Sequence, residues 1–349
     1  MTPKPDDAPI FVTGTGRSGT TLLRQMLCAH PRIHLTHEAF FYAYASHAHL
    51  QDSASGWLER YFETFSFAWT GVDPDDVRGE LPARLPHDQI NQAFKAIMRC
   101  KARKLGKPRY GEKSPLEVVN LGRIFSDYPD PRVIYMVRDP RATVASLGRM
   151  PFATPSTLLN SMLCAGQLGL LEQQRNRILV VKLEELIAKP REVMAGVLEF
   201  VGEPWDDAVL DHTAHAPADD VPALPWFESA RHEKLRPDSG KQSWQKQLGP
   251  AWIRTIERIS RFAMQRYGYQ PLELVHEPGR PRQVLAQLGD LPAMLASGWR
   301  VWRIARKLKA HFSGKRFYDP QQAMQDHLNL NRRAWRYYPE FVMPRVPRR

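Results

Sequence analysis

Cysteine is scarce in this sequence: Cys28, Cys100 and Cys164 are the three present among 349 residues. They lie far apart, without the close spacing of a metal site, and so odd and low a count suits a reducing compartment better than a disulfide framework. No apolar run approaches the roughly 20 residues that span a bilayer. Residues 1–9 are polar and proline-containing, with no apolar stretch of the kind a signal peptide carries. Internal repeats are missing too. These absences set the expectation of a cytoplasmic chain whose contact with a membrane, where there is one, is peripheral. Acidic residues are in deficit: 37 Asp and Glu face 49 Lys and Arg, a net charge of +12. An anionic partner follows, whether a nucleotide, an acidic glycan, a nucleic acid or a membrane surface. The hydrophobic share of 43% is enough for a core, and the length allows one large domain or two small ones.

One further absence is local. Residues 10–24 read IFVTGTGRSGTTLLR. Ile10, Phe11 and Val12 form a short apolar run expected to be a buried strand, and a glycine turn follows. A helix is expected from Ser18 as its N-cap, with Leu22, Leu23 and Met26 on its apolar side. Strand, glycine turn and helix together bind phosphate, because the N–H groups of the first helical turn are unpaired and the helix dipole draws an anion. The spacing Gly14-x-x-x-x-Gly19 approaches a nucleotide-triphosphate P-loop, but the lysine that should follow the second glycine is lacking. Thr20 and Thr21 stand there, and the cation, Arg17, lies two residues before Gly19. A loop gripping a single terminal phosphate beside a cation fits this arrangement better than a magnesium-dependent NTPase.

Strand and helix signals alternate through the next 190 or so residues, which predicts an α/β fold: a parallel sheet flanked by helices in three layers. Buried strands are expected at residues 133–137 and 178–182, and a strand end near Tyr110. Helices are expected at 58–67, 90–105, 116–125, 141–149, 158–174, 191–201 and 250–267, with Gly202 closing the sixth. Arg17, Lys113 and Arg138 each follow a candidate strand at its carboxyl end, where ligands of such sheets sit, so three cations are expected to converge. Residues 33–50 are aromatic and rich in histidine, with Glu38 among His34, His37, Phe40, Phe41 and Tyr42. Phe40, Phe41, Tyr42, Tyr44 and Trp69 are candidates for an acceptor pocket, or for plain core. The cluster Lys101, Arg103, Lys104 and Lys107 reads as a solvated face.

The main domain is expected to cover residues 1–270, with a basic helical extension over 271–349. There Leu295, Trp299, Trp302, Ala305, Leu308 and Phe312 recur at helical spacing among Arg300, Arg303, Arg306, Lys307 and Lys309. Such a basic amphipathic helix either docks on the main domain or on a partner in a homodimer, or lies on anionic lipid.

The residues assembled to this point resemble a sulfotransferase that uses 3′-phosphoadenosine 5′-phosphosulfate (PAPS), over Ile10 to about Tyr269. Gly16-Arg17-Ser18-Gly19-Thr20-Thr21-Leu22-Leu23-Arg24 resembles that family's 5′-phosphosulfate loop, in the Arg-Ser-Gly-Thr-Thr form of tyrosylprotein and carbohydrate sulfotransferases. Val133-Ile134-Tyr135-Met136-Val137-Arg138-Asp139-Pro140 resembles its 3′-phosphate strand, whose partner serine lies eight residues after the arginine, where Ser146 stands. Gly202-Glu203-Pro204-Trp205 is similar to a later family segment, although Lys182 replaces a more usual tyrosine. Ser243-Trp244-Gln245-Lys246 is a looser match to the region that closes over the nucleotide, and adds Lys241 and Trp244 as candidates.

The resemblance implies a P-loop-like sulfotransferase fold and transfer of a sulfuryl group from PAPS to a hydroxyl of a carbohydrate, lipid or other small molecule. It implies no metal and no nucleic acid partner. Arg17 would stabilise the leaving oxygen, while Ser18, Gly19, Thr20 and Thr21 would cradle the 5′-phosphate. Arg138 and Ser146 would take the 3′-phosphate, and Lys113 would be a second cation aimed at the sulfonate. Glu38 matches the catalytic glutamate of tyrosylprotein sulfotransferases, with His37 as the alternative base. The rival readings are a P-loop kinase or NTPase, and a basic binder of nucleic acid or membrane.

Overall fold

The computed structural model describes residues 8–215, 224–226, 243–343 and 345–346. Five parallel strands form one sheet: β1 (Ile10–Gly14), β2 (Ile33–His37), β3 (Arg109–Lys113), β4 (Arg132–Val137) and β5 (Ile178–Lys182), in the order β2-β3-β1-β4-β5. Helices cover both faces, giving the three-layer P-loop-like architecture. Phe11, Val133 and Tyr135 point to one face, among Phe41, Trp57, Phe94 and Leu168. Ile10, Val12, Ile134 and Met136 point to the other, against Leu23, Met26 and Leu27 of the Thr20–Ala29 helix and Val197 and Leu198 of the Pro190–Val201 helix. Burial on both faces is why β1 and β4 read as unbroken apolar runs. Beside β1, Gly111 pairs with Ile10, and a Cβ there would run into the Ile10 carbonyl.

β2 is a strand that apolar runs alone do not predict. Its residues Ile33-His34-Leu35-Thr36-His37 alternate apolar and polar, yet every one is buried. Helices close over both sides of this edge strand, so its polar positions are covered as well. The register His37 opposite Lys113 brings the chain after β2 to the carboxyl end of β3.

Other boundaries moved for local reasons. Gly19, with φ 96°, stands at the N-cap of the first helix in place of Ser18, whose side chain points back toward Gly14. The expected helix at 58–67 divides into Ala54–Phe62 and Phe65–Thr70, because the Thr64 hydroxyl caps the second piece at Phe67 N–H, 3.2 Å away. The helix at 250–267 likewise divides at Ser260 into Pro250–Ile259 and Arg261–Tyr267. Gly202 closes Pro190–Val201 in the left-handed conformation, as expected. The next residue, Glu203, pairs with Arg109 at 2.7 Å and Arg32 at 2.8 Å, tying that segment to the β2–β3 side of the sheet.

The described residues of the expected extension 271–349 pack on the α/β body. Helix Arg280–Phe312 is followed by helix Pro320–Leu328. Phe312, Met324 and Leu328 join the main core. Leu308 and Phe312 face inward as the helical spacing suggested, but Leu295, Trp299 and Trp302 face out. No helix among the described residues is long and apolar enough to cross a membrane.

Candidate active site

The loop after β1 is shaped by backbone conformations that few residues tolerate. Gly14 (φ 149°), Arg17 (φ 71°) and Gly19 (φ 96°) all have positive φ. A Cβ on Gly19 would lie 2.5 Å from Leu183 Cδ1, and one on Gly14 would lie 2.6 Å from the Met136 carbonyl oxygen. Glycine at these two positions lets the loop sit against β4 and the helix after β5. The first helical hydrogen bond runs from Leu23 N–H to the Gly19 carbonyl at 3.1 Å. The N–H groups of Thr20, Thr21 and Leu22 therefore lie outside the helical ladder, at the edge of a cavity of about 730 Å³ that these residues line.

Three arginines line the same cavity: Arg17, Arg138 and Arg149. Arg17 Nε donates to Ser146 Oγ at 3.2 Å and Nη1 to the Trp226 carbonyl at 3.3 Å. Arg138, just past β4, donates to the Arg17 carbonyl at 2.9 Å. Burial pulls the Arg17 guanidinium down to about 10, opposed by Tyr338 and reinforced by the charges of Arg138 and Arg149. Arg138 is also lowered, chiefly by burial. A positive field held against its own repulsion in a poorly solvated hollow is built to receive an anion. In the cavity wall, the buried Arg149 Nε has no partner among the described residues. Ser18, expected to cradle a phosphate, lies outside the wall: its N–H donates to the Thr15 carbonyl at 3.0 Å and its hydroxyl lies against Gly14. Ser146 lies in the second turn of helix Pro140–Leu147 and meets Arg17 directly.

Across the cavity stands Glu38, at φ 42° just after β2. Its N–H donates to the Lys113 carbonyl at 2.8 Å, continuing the β2–β3 ladder by one residue. Its carboxylate accepts from Lys113 Nζ at 2.5 Å, and Nζ also lies 2.9 Å from His37 Nε2. The Glu38 side chain is 14% exposed, while those of His37 and Lys113 are fully buried. Of the two candidate bases, Glu38 therefore faces the cavity and His37 lies behind it. Lys113 reaches the cavity only through Glu38. Burial lowers the Lys113 ammonium to about 8, with the Glu38 charge as the main opposing influence.

Two further carboxyls, which sequence reasoning missed, shape the Glu38 turn. Glu112 accepts from Phe40 N–H at 2.8 Å, and Glu117 from Tyr42 N–H at 3.0 Å. Both are raised by burial, Glu117 to about 7. They satisfy the N–H groups of Phe40 and Tyr42, which lie at the N-cap and in the first turn of the short helix Phe41–Ala45 and so outside its ladder.

The rest of the cavity wall is largely apolar. Phe40 and Tyr44 contribute, whereas Phe41 and Tyr42 are core and Trp69 packs on Phe65 away from it. Much of the wall comes from beyond residue 271: Val301, Ile304, Leu308, Tyr318 and His327. His327 stacks on Phe152 at 6.2 Å and is pushed down by burial, against the pull of Glu38. Neither Arg149 nor His327 carried a motif; a basic residue ending a helix after Arg138 was the one available hint for the former. Trp244 lies outside the cavity wall, under the Arg141 guanidinium at 4.6 Å on the flank of helix Pro140–Leu147. Lys241 lies outside the described residues.

The Lys113–Glu38 pair makes a pH prediction. Because kcat/KM reports the free protein's groups, it should fall as pH rises through about 8, where Lys113 loses its proton and Glu38 its cationic support. Anions bound nearby favour the ammonium, so the limb in kcat should lie at higher pH. A kcat/KM profile that is flat to pH ~10 would show that the Lys113 charge is not needed.

The model of a family described as "Sulfotransferase family" matches residues 9–207. The protein-tyrosine sulfotransferase of Drosophila melanogaster is 26% identical over 312 residues, covering 85% of this chain and 58% of that protein. Protein-tyrosine sulfotransferase 2 of Gallus gallus is 28% identical over 218 residues, covering 58% of this chain and 53% of its own length. The chain thus spans just over half the length of the curated relatives it matches. Among solved structures, the sulfotransferase domain from the Synechococcus PCC 7002 olefin synthase superposes with a TM-score of 0.53 at 20% identity, over 76% of this chain and 96% of that one. The sulfotransferase domain from the curacin biosynthetic pathway gives 0.51 at 19% identity, over 76% and 99%. At such identities the structural likeness speaks to the fold.

Proposed function

The chain belongs to the sulfotransferase family, and from that premise we propose that it transfers a sulfuryl group from PAPS to a hydroxyl on an acceptor with an apolar body, by in-line displacement. The observation that carries this reading is the meeting of Arg17, Arg138 and Arg149 around the glycine loop, with Glu38 on the same cavity. The donor set suits a nucleotide phosphorylated at two places: loop N–H groups and threonine hydroxyls at one end, and a strand-end arginine at the other. Arg149 Nε, on the cavity wall and without a partner among the described residues, is a donor of the kind an oxyanion satisfies.

PAPS, when bound, supplies the electrophilic sulfur and a phosphate leaving group. The N–H groups of the first helical turn, with the Thr20 and Thr21 hydroxyls, hold the 5′-phosphate, and Gly16 and Gly19 let the backbone come close. Arg17 balances the charge that develops on the oxygen between phosphorus and sulfur. Arg138 and Ser146 hold the 3′-phosphate, where a guanidinium can pair bidentately. Glu38 takes the proton of the acceptor hydroxyl as its oxygen bonds to sulfur and the sulfur–oxygen bond to the 5′-phosphate breaks. Lys113 keeps the Glu38 carboxylate in place. The apolar wall supports an acceptor with an aromatic or aliphatic body, such as a lipid or small alcohol or phenol, over a carbohydrate, whose hydroxyls would find few partners there.

A thermal-shift comparison tests the reading without knowledge of the acceptor. Adenosine 3′,5′-bisphosphate should stabilise the protein more than AMP or ATP does; saturation at about 100 Kd corresponds to roughly 2.7 kcal/mol. Arg138→Ala should reduce the preference for the bisphosphate over AMP about tenfold or more, since a charge-assisted pair contributes some 1.5–3 kcal/mol. Equal stabilisation of the wild type by the three nucleotides would refute the cofactor assignment.

A further inference from the structure

Helix Arg280–Phe312 has 33 residues and so runs about 50 Å. Its inner face is tied to the body. Asp290 accepts from Ser156 Oγ at 2.6 Å and Leu158 N–H at 2.9 Å, Ser297 meets Thr154 at 2.6 Å, and His311 Nε2 lies 2.8 Å from the Arg60 carbonyl oxygen. Val301, Ile304 and Leu308 line the active-site cavity.

The outer face has the opposite character. Leu285, Leu288, Leu295, Trp299 and Trp302 follow one another at steps compatible with three and four residues, a single stripe, with exposures of 67, 54, 70, 56 and 54%. Isolated exposed apolar residues are ordinary, but a continuous stripe ending in two tryptophans marks an interaction surface. Arg303 lies over Trp299 at 4.7 Å and Arg306 over Trp302 at 4.9 Å. Asp290, the one acidic residue of the helix, is committed inward. Lys309, Lys315 and Arg316 continue the positive charge at the same end.

We propose that this outer face is a membrane-docking surface, laying the helix flat on a bilayer that carries anionic lipid. Trp299 and Trp302 enter the boundary between headgroups and acyl chains, as indole does at such interfaces, and Arg303 and Arg306 pair with lipid phosphates. The charge favours this occupant over a second copy of the chain, because the stripe offers no carboxylate to meet the partner's arginines. The helix is about 10–12 Å thick, so docking would hold the apolar cavity about one helix diameter from the lipid. The proposal stands on the outer stripe and does not depend on the reaction proposed above.

Sedimentation of the full chain with phosphatidylcholine vesicles, with and without phosphatidylglycerol, tests it. The wild type should partition onto the anionic vesicles and release as salt screens the arginines. A Trp299→Ser, Trp302→Ser variant should partition at least about tenfold less. Arg303→Gln with Arg306→Gln should abolish the preference for anionic lipid. Thermal midpoints of both variants should match the wild type, since these side chains project into solvent. Failure of the wild type to bind either vesicle would overturn the proposal, as would undiminished binding of the tryptophan variant. A concentration-dependent dimer that forms without lipid and is lost in that variant would assign the stripe to a second copy instead.

Discussion

Arg17→Ala should lower kcat by about 10³-fold, equivalent to roughly 4 kcal/mol of transition-state stabilisation. Backbone strain will not confuse the result. Arg17 sits at φ 71°, and alanine occupies that region no more readily than arginine, so both bear a similar penalty. What disappears is a buried guanidinium aimed from the loop, together with its bonds to Ser146 and the Trp226 carbonyl. Its charge matters most where the leaving oxygen gains charge, so kcat should fall far more than affinity for adenosine 3′,5′-bisphosphate. Arg17→Lys should recover part of the rate, because it restores charge without the planar fork that bonds to Ser146 and the carbonyl together. The check is a pre-steady-state or initial-rate measurement beside bisphosphate binding on the same samples. A rate within threefold of wild type would remove Arg17 from the leaving-group role.

Glu38→Gln should cut turnover about 10²-fold or more, the lower end of what a positioned base contributes, while bisphosphate binding persists. The amide is nearly isosteric and can still accept from Lys113, but it cannot take up a proton. It also strips the buried Lys113 ammonium of its counter-charge. Because the Glu38 charge is the main influence holding Lys113 up against burial, the lysine should then titrate lower and its alkaline limb should shift to lower pH. Loss of rate with a displaced limb therefore distinguishes the loss of a base coupled to Lys113 from general damage. His37→Ala should affect Lys113 but leave a cavity-facing carboxylate in place, so its rate should exceed that of Glu38→Gln. Full activity of the Glu38 variant would require a different base.

The glycine loop, the apolar runs 10–12, 133–137 and 178–182 and the strand-end cations Arg17, Lys113 and Arg138 were legible in the residues, because each depends on local chain stiffness and short-range patterning. A turn that needs positive φ declares itself by Gly14 and Gly19, and a strand buried on both faces by unbroken apolar runs such as Val133 to Val137. Which side chains meet was a different matter. Glu38 touches Lys113 because β2 pairs with β3 in the register His37 opposite Lys113, and that edge strand was hidden by its polar residues. Lys113 lies beneath Glu38 for the same reason, where spacing had suggested an independent cation. Arg149 and His327 reach the cavity through helices whose packing angles no linear pattern encodes. The C-terminal helix makes the point most sharply. Its spacing grouped Leu295, Trp299 and Trp302 with Leu308 and Phe312, but the helix buries the last two and leaves the first three exposed, with Asp290, Ser297 and His311 finding polar partners on the body. With those bonds holding one side of the helix against the body, Trp299 and Trp302 on the opposite side are left in water.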